Sequence, residues 1–109
     1  MQQLTRTAIQ QALIRHDEVI VLSLALPETP LKAQQLTQAL TKHFALIPGD
    51  ADWGADRYQV ALNTSGNNNE LRCILCVEWL CEAIWLEPTG TTTIESLWQA
   101  LTEEAPHNN

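Results

Sequence analysis

The chain has 109 residues, 45% of them apolar, with thirteen acidic side chains against six basic ones for a formal net charge of −7. That length suits one domain of modest core, and that apolar fraction excludes a disordered chain. The charge disfavours nucleic acid and anionic membrane as partners, and the basic residues are scattered along the chain rather than grouped.

No segment reaches the roughly 20 apolar residues of a membrane span. The opening "MQQLTRTAIQQ" has no apolar stretch of the signal-peptide type. Three cysteines leave one over from any internal disulfide framework, so a reducing cytoplasm is the expected location. A single domain over 1–109 is expected, with 1–6 and 106–109 as flexible ends.

Residues 7–16 admit two readings. Ile9, Ala12 and Leu13 form one helical face, whereas Ile14 followed by "DE" suits an edge strand turning into the next one. Residues 18–26 alternate: Ile20, Leu22, Leu24 and Leu26 make a bulky face, and Val19, Val21, Ser23 and Ala25 a smaller one. That is a strand buried on at least one side. "PETP" ends it, with Thr29 as N-cap and Pro30 in the first turn of a helix. Ala33, Leu36, Leu40, Phe44 and Ile47 recur at helical spacing, and the helix is expected to end near His43 or Phe44.

"IPGDADWGAD" reads as a loop with a Pro-Gly turn, or as a short irregular strand centred on Trp53. "RYQVALN" and "ELRCILCVEW" flank the turn residues "TSGNNN", which predicts a hairpin over 57–80. "LCEAIWLEP" folds back as a further strand after a bend near Cys81 to Ala83. A second helix follows, with Thr92 and Glu95 at capping-box spacing and Ile94, Leu97, Trp98, Leu101 and Ala105 as its stripe. The expected fold is α+β in two layers: a mostly antiparallel sheet of four to six strands with two helices packed on one face.

"LRCILCVEWLC" holds Cys73, Cys76 and Cys81. The first two have the C-x-x-C spacing of zinc sites and redox dithiols. On a strand, however, an odd separation sends side chains to opposite faces, and Ile74, Leu75 and Val77 are strand residues. Structural zinc also wants four ligands, and no second C-x-x-C exists. The three cysteines therefore read as packing residues, and no metal or cofactor is expected. "GDADWGAD" brings Asp50, Asp52 and Asp56 together, but an EF-hand counted from Asp50 would need glutamate where Ala61 stands. His16, His43 and His107 accompany no nucleophile motif, so no catalytic set is named.

Trp53, Trp79, Trp85 and Trp98 are the most unusual feature. Tryptophan is large, seldom fully buried and enriched at interfaces. Trp53, Trp79, Trp85 and Glu87 are the candidate interaction surface. An apolar surface rimmed by carboxylates such as Glu78, Glu82 and Glu87 would suit a partner with basic residues. Parity also sets Trp85 opposite Ile84 and Leu86, so helices over those two would leave Trp85 on the other sheet face.

"DWGADRYQVAL", a strand pair and then "AIWLEP" resemble a family of small uncharacterised gammaproteobacterial proteins, a domain of unknown function. The resemblance spans roughly residues 18–100, and its distinctive segments are 53–56 and 85–87. It implies a small cytoplasmic bacterial protein and brings no activity or catalytic residues. The expected function is a non-enzymatic protein-interaction or adaptor module, with self-association as one form of the interaction. The alternative is a thiol- or zinc-dependent protein using the three-cysteine segment.

Overall fold

The computed structural model describes residues 4–64 and 70–103. Its elements run α1 (Arg6–Ala12), β1 (Leu13–His16), β2 (Val19–Leu22), α2 (Pro30–Phe44), β3 (Leu46–Trp53), β4 (Arg57–Thr64), β5 (Arg72–Glu78), β6 (Ala83–Pro88) and α3 (Ile94–Thr102). The six strands form one sheet in the order β1-β2-β6-β5-β4-β3, with every neighbouring pair antiparallel. The fold is thus α+β, as expected, at the upper end of the expected strand number and with a third helix. Residues 65–69 of the "TSGNNN" turn, the stripe residue Ala105 and the tail 106–109 lie outside the described residues.

Both readings of residues 7–16 hold, one after the other. Thr5 caps α1 by accepting a hydrogen bond from the Ala8 amide, and Ile9 and Ala12 face inward. The chain then leaves the helix at Leu13 and turns into β2 through Asp17, whose φ is 53°. Residues 4–6 are not a free end. Leu4 packs against the core, and Arg6 stacks over Phe44 while donating to the backbone carbonyls of His43 and Glu103. One guanidinium therefore serves carbonyls at the C-terminal ends of α2 and α3, which a helix leaves without intrahelical partners.

α2 begins as the sequence suggests, with Thr29 capping Lys32 and Pro30 in the first turn. It ends at Phe44 because Ala45 adopts the left-handed conformation, with φ 54°. Ile47 therefore does not belong to the helical stripe; it lies in β3 and is exposed. The expected Pro-Gly turn is also absent. Pro48 and Gly49 sit inside β3, which shifts register between Pro48 and Ala51. β3 is an edge strand, the place in a sheet where proline is tolerated and where a bulge blunts the edge.

The β4–β5 pairing runs from Arg57↔Glu78 to Asn63↔Arg72, within the expected hairpin. The following bend occupies residues 79–82 and uses Glu82 at φ 50° in place of a glycine. α3 is capped by Thr93, one residue later than its Thr92–Glu95 spacing predicts. Thr92 instead accepts from the Arg72 amide, which ties the α3 approach to β5.

One cluster holds the buried side chains of all three helices: Ile9 from α1, Ala33, Leu36 and Leu40 from α2, and Ile94, Leu97 and Leu101 from α3. Their sheet partners alternate along each strand: Ile20 and Leu22, Ile84 and Leu86, Cys73, Leu75 and Val77, Tyr58, Val60 and Leu62. The register aligns these residues laterally, so they share one sheet face. Inside this layer Thr37 donates to the Ala33 carbonyl at 3.0 Å, and its hydroxyl lies 2.7 Å from that of Tyr58. With the Thr37 proton so engaged, Tyr58 is the donor between the two hydroxyls.

Candidate functional site

The opposite sheet face carries the remaining alternate residues. Hydrogen-bonded register links Ile14 to Val21, Val21 to Trp85, Trp85 to Cys76, Cys76 to Gln59 and Gln59 to Asp52. These six residues form one row across all six strands. A second row joins Glu87, Ile74 and Ala61, and a third joins Ala83, Glu78 and Arg57. None of the three rows contributes to the helix-bearing core cluster. Ile14 is 50% exposed, Val21, Ile74 and Trp85 are half-buried, and Ala61 and Glu87 are exposed. Among the described residues, no helix contributes a core side chain to this face.

Trp85 is fixed on the face by its own strand. Its indole N–H donates to the Glu87 carboxylate at 3.1 Å, two residues along β6 on the same side. Its neighbours Ile84 and Leu86 are 2% and 0% exposed on the other face, as parity requires. Cys76, cross-strand from both Trp85 and Gln59, is buried and accepts a hydrogen bond from the Gln59 amide at 3.7 Å. Burial pushes its thiol up to about 11, the Gln59 bond and Arg57 oppose that shift, and the carboxylates of Glu87 and Glu78 reinforce it.

The other candidate residues do not join Trp85 and Glu87. Trp53 pairs with Tyr58 and therefore lies at the margin of the helix-bearing face, its ring 4.3 Å from the tyrosine ring centre to centre. Trp79 donates its indole N–H to the Pro27 carbonyl at 2.6 Å and packs against the core. Trp53 and Trp79 meet Glu28, Pro30, Gly54 and Ala55 around a shallow cleft of about 230 Å³. The expected surface of Trp53, Trp79, Trp85 and Glu87 is thus two places, because register sets Trp53 beside the core residue Tyr58 and Trp85 beside Cys76, while Trp79 stands in the turn after β5. Trp98 leans on the core from α3. The face residues Ile14, Val21 and Ile74 carried no local motif; only their register with Trp85 groups them.

The thiols follow strand parity. Cys73 lies under the helices between Leu62 and Pro88, Cys76 lies on the opposite face, and Cys81 is exposed in the 79–82 turn. Burial, and secondarily the nearby Cys76, pushes the Cys73 thiol up to about 12. These positions offer no common point for a bound ion. Asp50, Asp52 and Asp56 likewise do not converge: Asp50 and Asp52 belong to β3 and Asp56 to the turn before β4. Among the described residues, no group of three or more His, Cys, Asp or Glu side chains is gathered to hold a metal. No helix among them is long and apolar enough to cross a membrane. No protein family, characterised protein or solved structure is matched by this chain.

Proposed function

We propose that this chain is a protein-interaction module whose contact surface is the sheet face opposite the helices. The observation that carries the reading is the row Ile14–Val21–Trp85–Cys76, which sets an indole and aliphatic side chains side by side on that face. Antiparallel sheets commonly solvate one face, and such a face is ordinarily polar at alternate positions. Here those positions in the two central strands include Ile74, Cys76 and Trp85. Tryptophan with a satisfied N–H and an available ring is a common anchor of interfaces, and carboxylates at the rim add selectivity for basic partners.

The thiol-dependent alternative loses its geometric support, since Cys73 and Cys76 face apart across β5. A bacterial cytoplasmic setting, and kinship with the small gammaproteobacterial family suggested by residues 53–56 and 85–87, belong to the same proposal.

The test is photo-crosslinking in native lysate from a benzoylphenylalanine placed at Ile74 or at Gln38. Ile74 is on the open face and Gln38 is exposed on α2. A discrete protein adduct from position 74, absent from position 38 and lost when Trp85→Ala is added, is expected. Adducts from position 38 alone would sink the reading.

A further inference from the structure

We infer that the occupant of the open face is a basic amphipathic helix of a partner protein, three to four turns long, lying along the row from Ile14 toward Gln59. The inference rests on the reading of that face as the contact surface and adds what fits it.

The dimensions select a helix. The row from Ile14 to Gln59 crosses five strands, and strands spaced about 4.8 Å apart make it about 19 Å long. A helix rising 1.5 Å per residue covers that length in about 13 residues. The row is bordered on both sides. Glu78 stands two residues beyond Cys76 on β5, and Glu87 stands two residues beyond Trp85 on antiparallel β6, hence on the opposite side. Four residue steps separate these two carboxylate positions along the strand direction, about 13 Å. A helix with its side chains is about 10–12 Å across, so it fits between them with its flanks against the carboxylates.

Charge selects the sign. Glu87 holds its carboxylate at the face by accepting from Trp85. Arg57, cross-strand from Glu78, leaves that border of mixed charge, whereas Arg72 on the Glu87 side is bridged to Glu70 at 2.8 Å. Glu87, cross-strand from Ile74, is therefore a carboxylate with no arginine opposite it, and the net charge of −7 extends the attraction for a basic segment over the whole chain. A second copy of the chain suits the face less. Two copies would bring two chains of net charge −7 together.

The experiment uses the full chain and three synthetic 14-residue peptides. One carries leucines at helical spacing between lysine flanks, one replaces those lysines with glutamates, and one disperses the leucines among the lysines. Amide and indole N–H shifts of the isotope-labelled chain give site and affinity. The first peptide should move the Trp85 indole and the Ile74 amide, and bind at least tenfold more tightly than either control. Glu87→Gln keeps an acceptor for the indole and should weaken that binding about fivefold; Trp85→Ala should weaken it more. Equal binding of all three peptides, shifts confined to the helix-bearing side, or no effect of Glu87→Gln would overturn the inference. Open-face shifts that appear on raising the concentration of the chain alone, with a dimer in sedimentation, would also overturn it. The open-face contact would then survive with a second copy as its occupant.

Discussion

Cys73 and Cys76 are three residues apart on one strand and lie on opposite faces of the sheet, one on the helix-bearing face and the other beside Trp85. Cys81 alone is exposed. A disulfide-forming or metal-chelating pair is thereby replaced by three thiols of unlike accessibility. In native protein one thiol should react with a chromogenic disulfide at pH 8, and all three should react in denaturant. Two thiols reacting at equal speed in the native state would contradict the assigned faces.

The buried thiols also make stability depend on alkaline pH. Cys73 is raised from about 9 to about 12 by folding, so the unfolded chain loses its proton first. The stabilisation is intact below pH 9 and declines as pH rises from there toward 12. Between pH 8 and 10 this thiol alone should lower the unfolding free energy by about 1.4 kcal/mol. Urea midpoints at the two values should therefore fall further in wild type than in Cys73→Ala. Parallel falls would show that the thiol ionises freely in the folded state.

Tyr58 donates to Thr37, and Thr37 donates onward to the Ala33 carbonyl. Removing the donor leaves Thr37 still bonded, so Tyr58→Phe should cost about 1 kcal/mol. Thr37→Val strands a buried phenol and should cost more, about 1–3 kcal/mol. Denaturation of both variants checks the order, and a costlier Tyr58→Phe would reverse the donor assignment.

Leu40 and Leu97 are 0% and 1% exposed, on different helices over one sheet face. Alanine at either should cost about 2–5 kcal/mol, a large part of the 5–15 kcal/mol typical of a domain. Exposed Gln38 on α2 should tolerate alanine with almost no change in denaturant midpoint. Equal midpoints for Leu40→Ala and Gln38→Ala would remove α2 from the core.

Ala45 ends α2 in the left-handed region, where a Cβ costs about 1–2 kcal/mol. Ala45→Gly should therefore stabilise the chain by about 0.5–1 kcal/mol, the gain being reduced by the greater freedom of glycine in the unfolded state. A lower thermal midpoint for the variant would mean that the conformation at Ala45 carries no strain.

Ala45 also separates α2 from β3 at a point that local spacing does not mark. Helical spacing from Ala33 to Phe44 continues numerically to Ile47, and only the backbone reversal at Ala45 reveals that Ile47 belongs to β3. Pro48-Gly49 has the composition of a turn, yet an edge strand with a register shift accommodates both. Thr92 and Thr93 are equivalent in sequence, and the competing Arg72 amide decides between them. By contrast, Thr29-Pro30 announced its helix locally, and the Cys73–Cys76 parity needed only a strand. The candidate surface divided because it joined tryptophans across elements: Trp53 shares a face with Tyr58, whereas Trp85 shares one with Cys76, and register alone distinguishes them.

Trp85 and Leu86 are neighbours on β6 that face apart, and comparing them tests the role of the open face most directly. Leu86 is fully buried beneath the helices, so Leu86→Ala should cost about 2–5 kcal/mol of stability. Trp85→Ala gives up a half-buried side chain and its cross-strand pairing, at about 1 kcal/mol. Binding of the leucine–lysine peptide to each variant, measured where both remain folded, is the deciding experiment. Trp85→Ala should keep most of its stability and lose binding more than tenfold, while Leu86→Ala should lose stability and keep binding. A Trp85→Ala variant destabilised as much as Leu86→Ala, with peptide binding unchanged, would contradict that role of the open face.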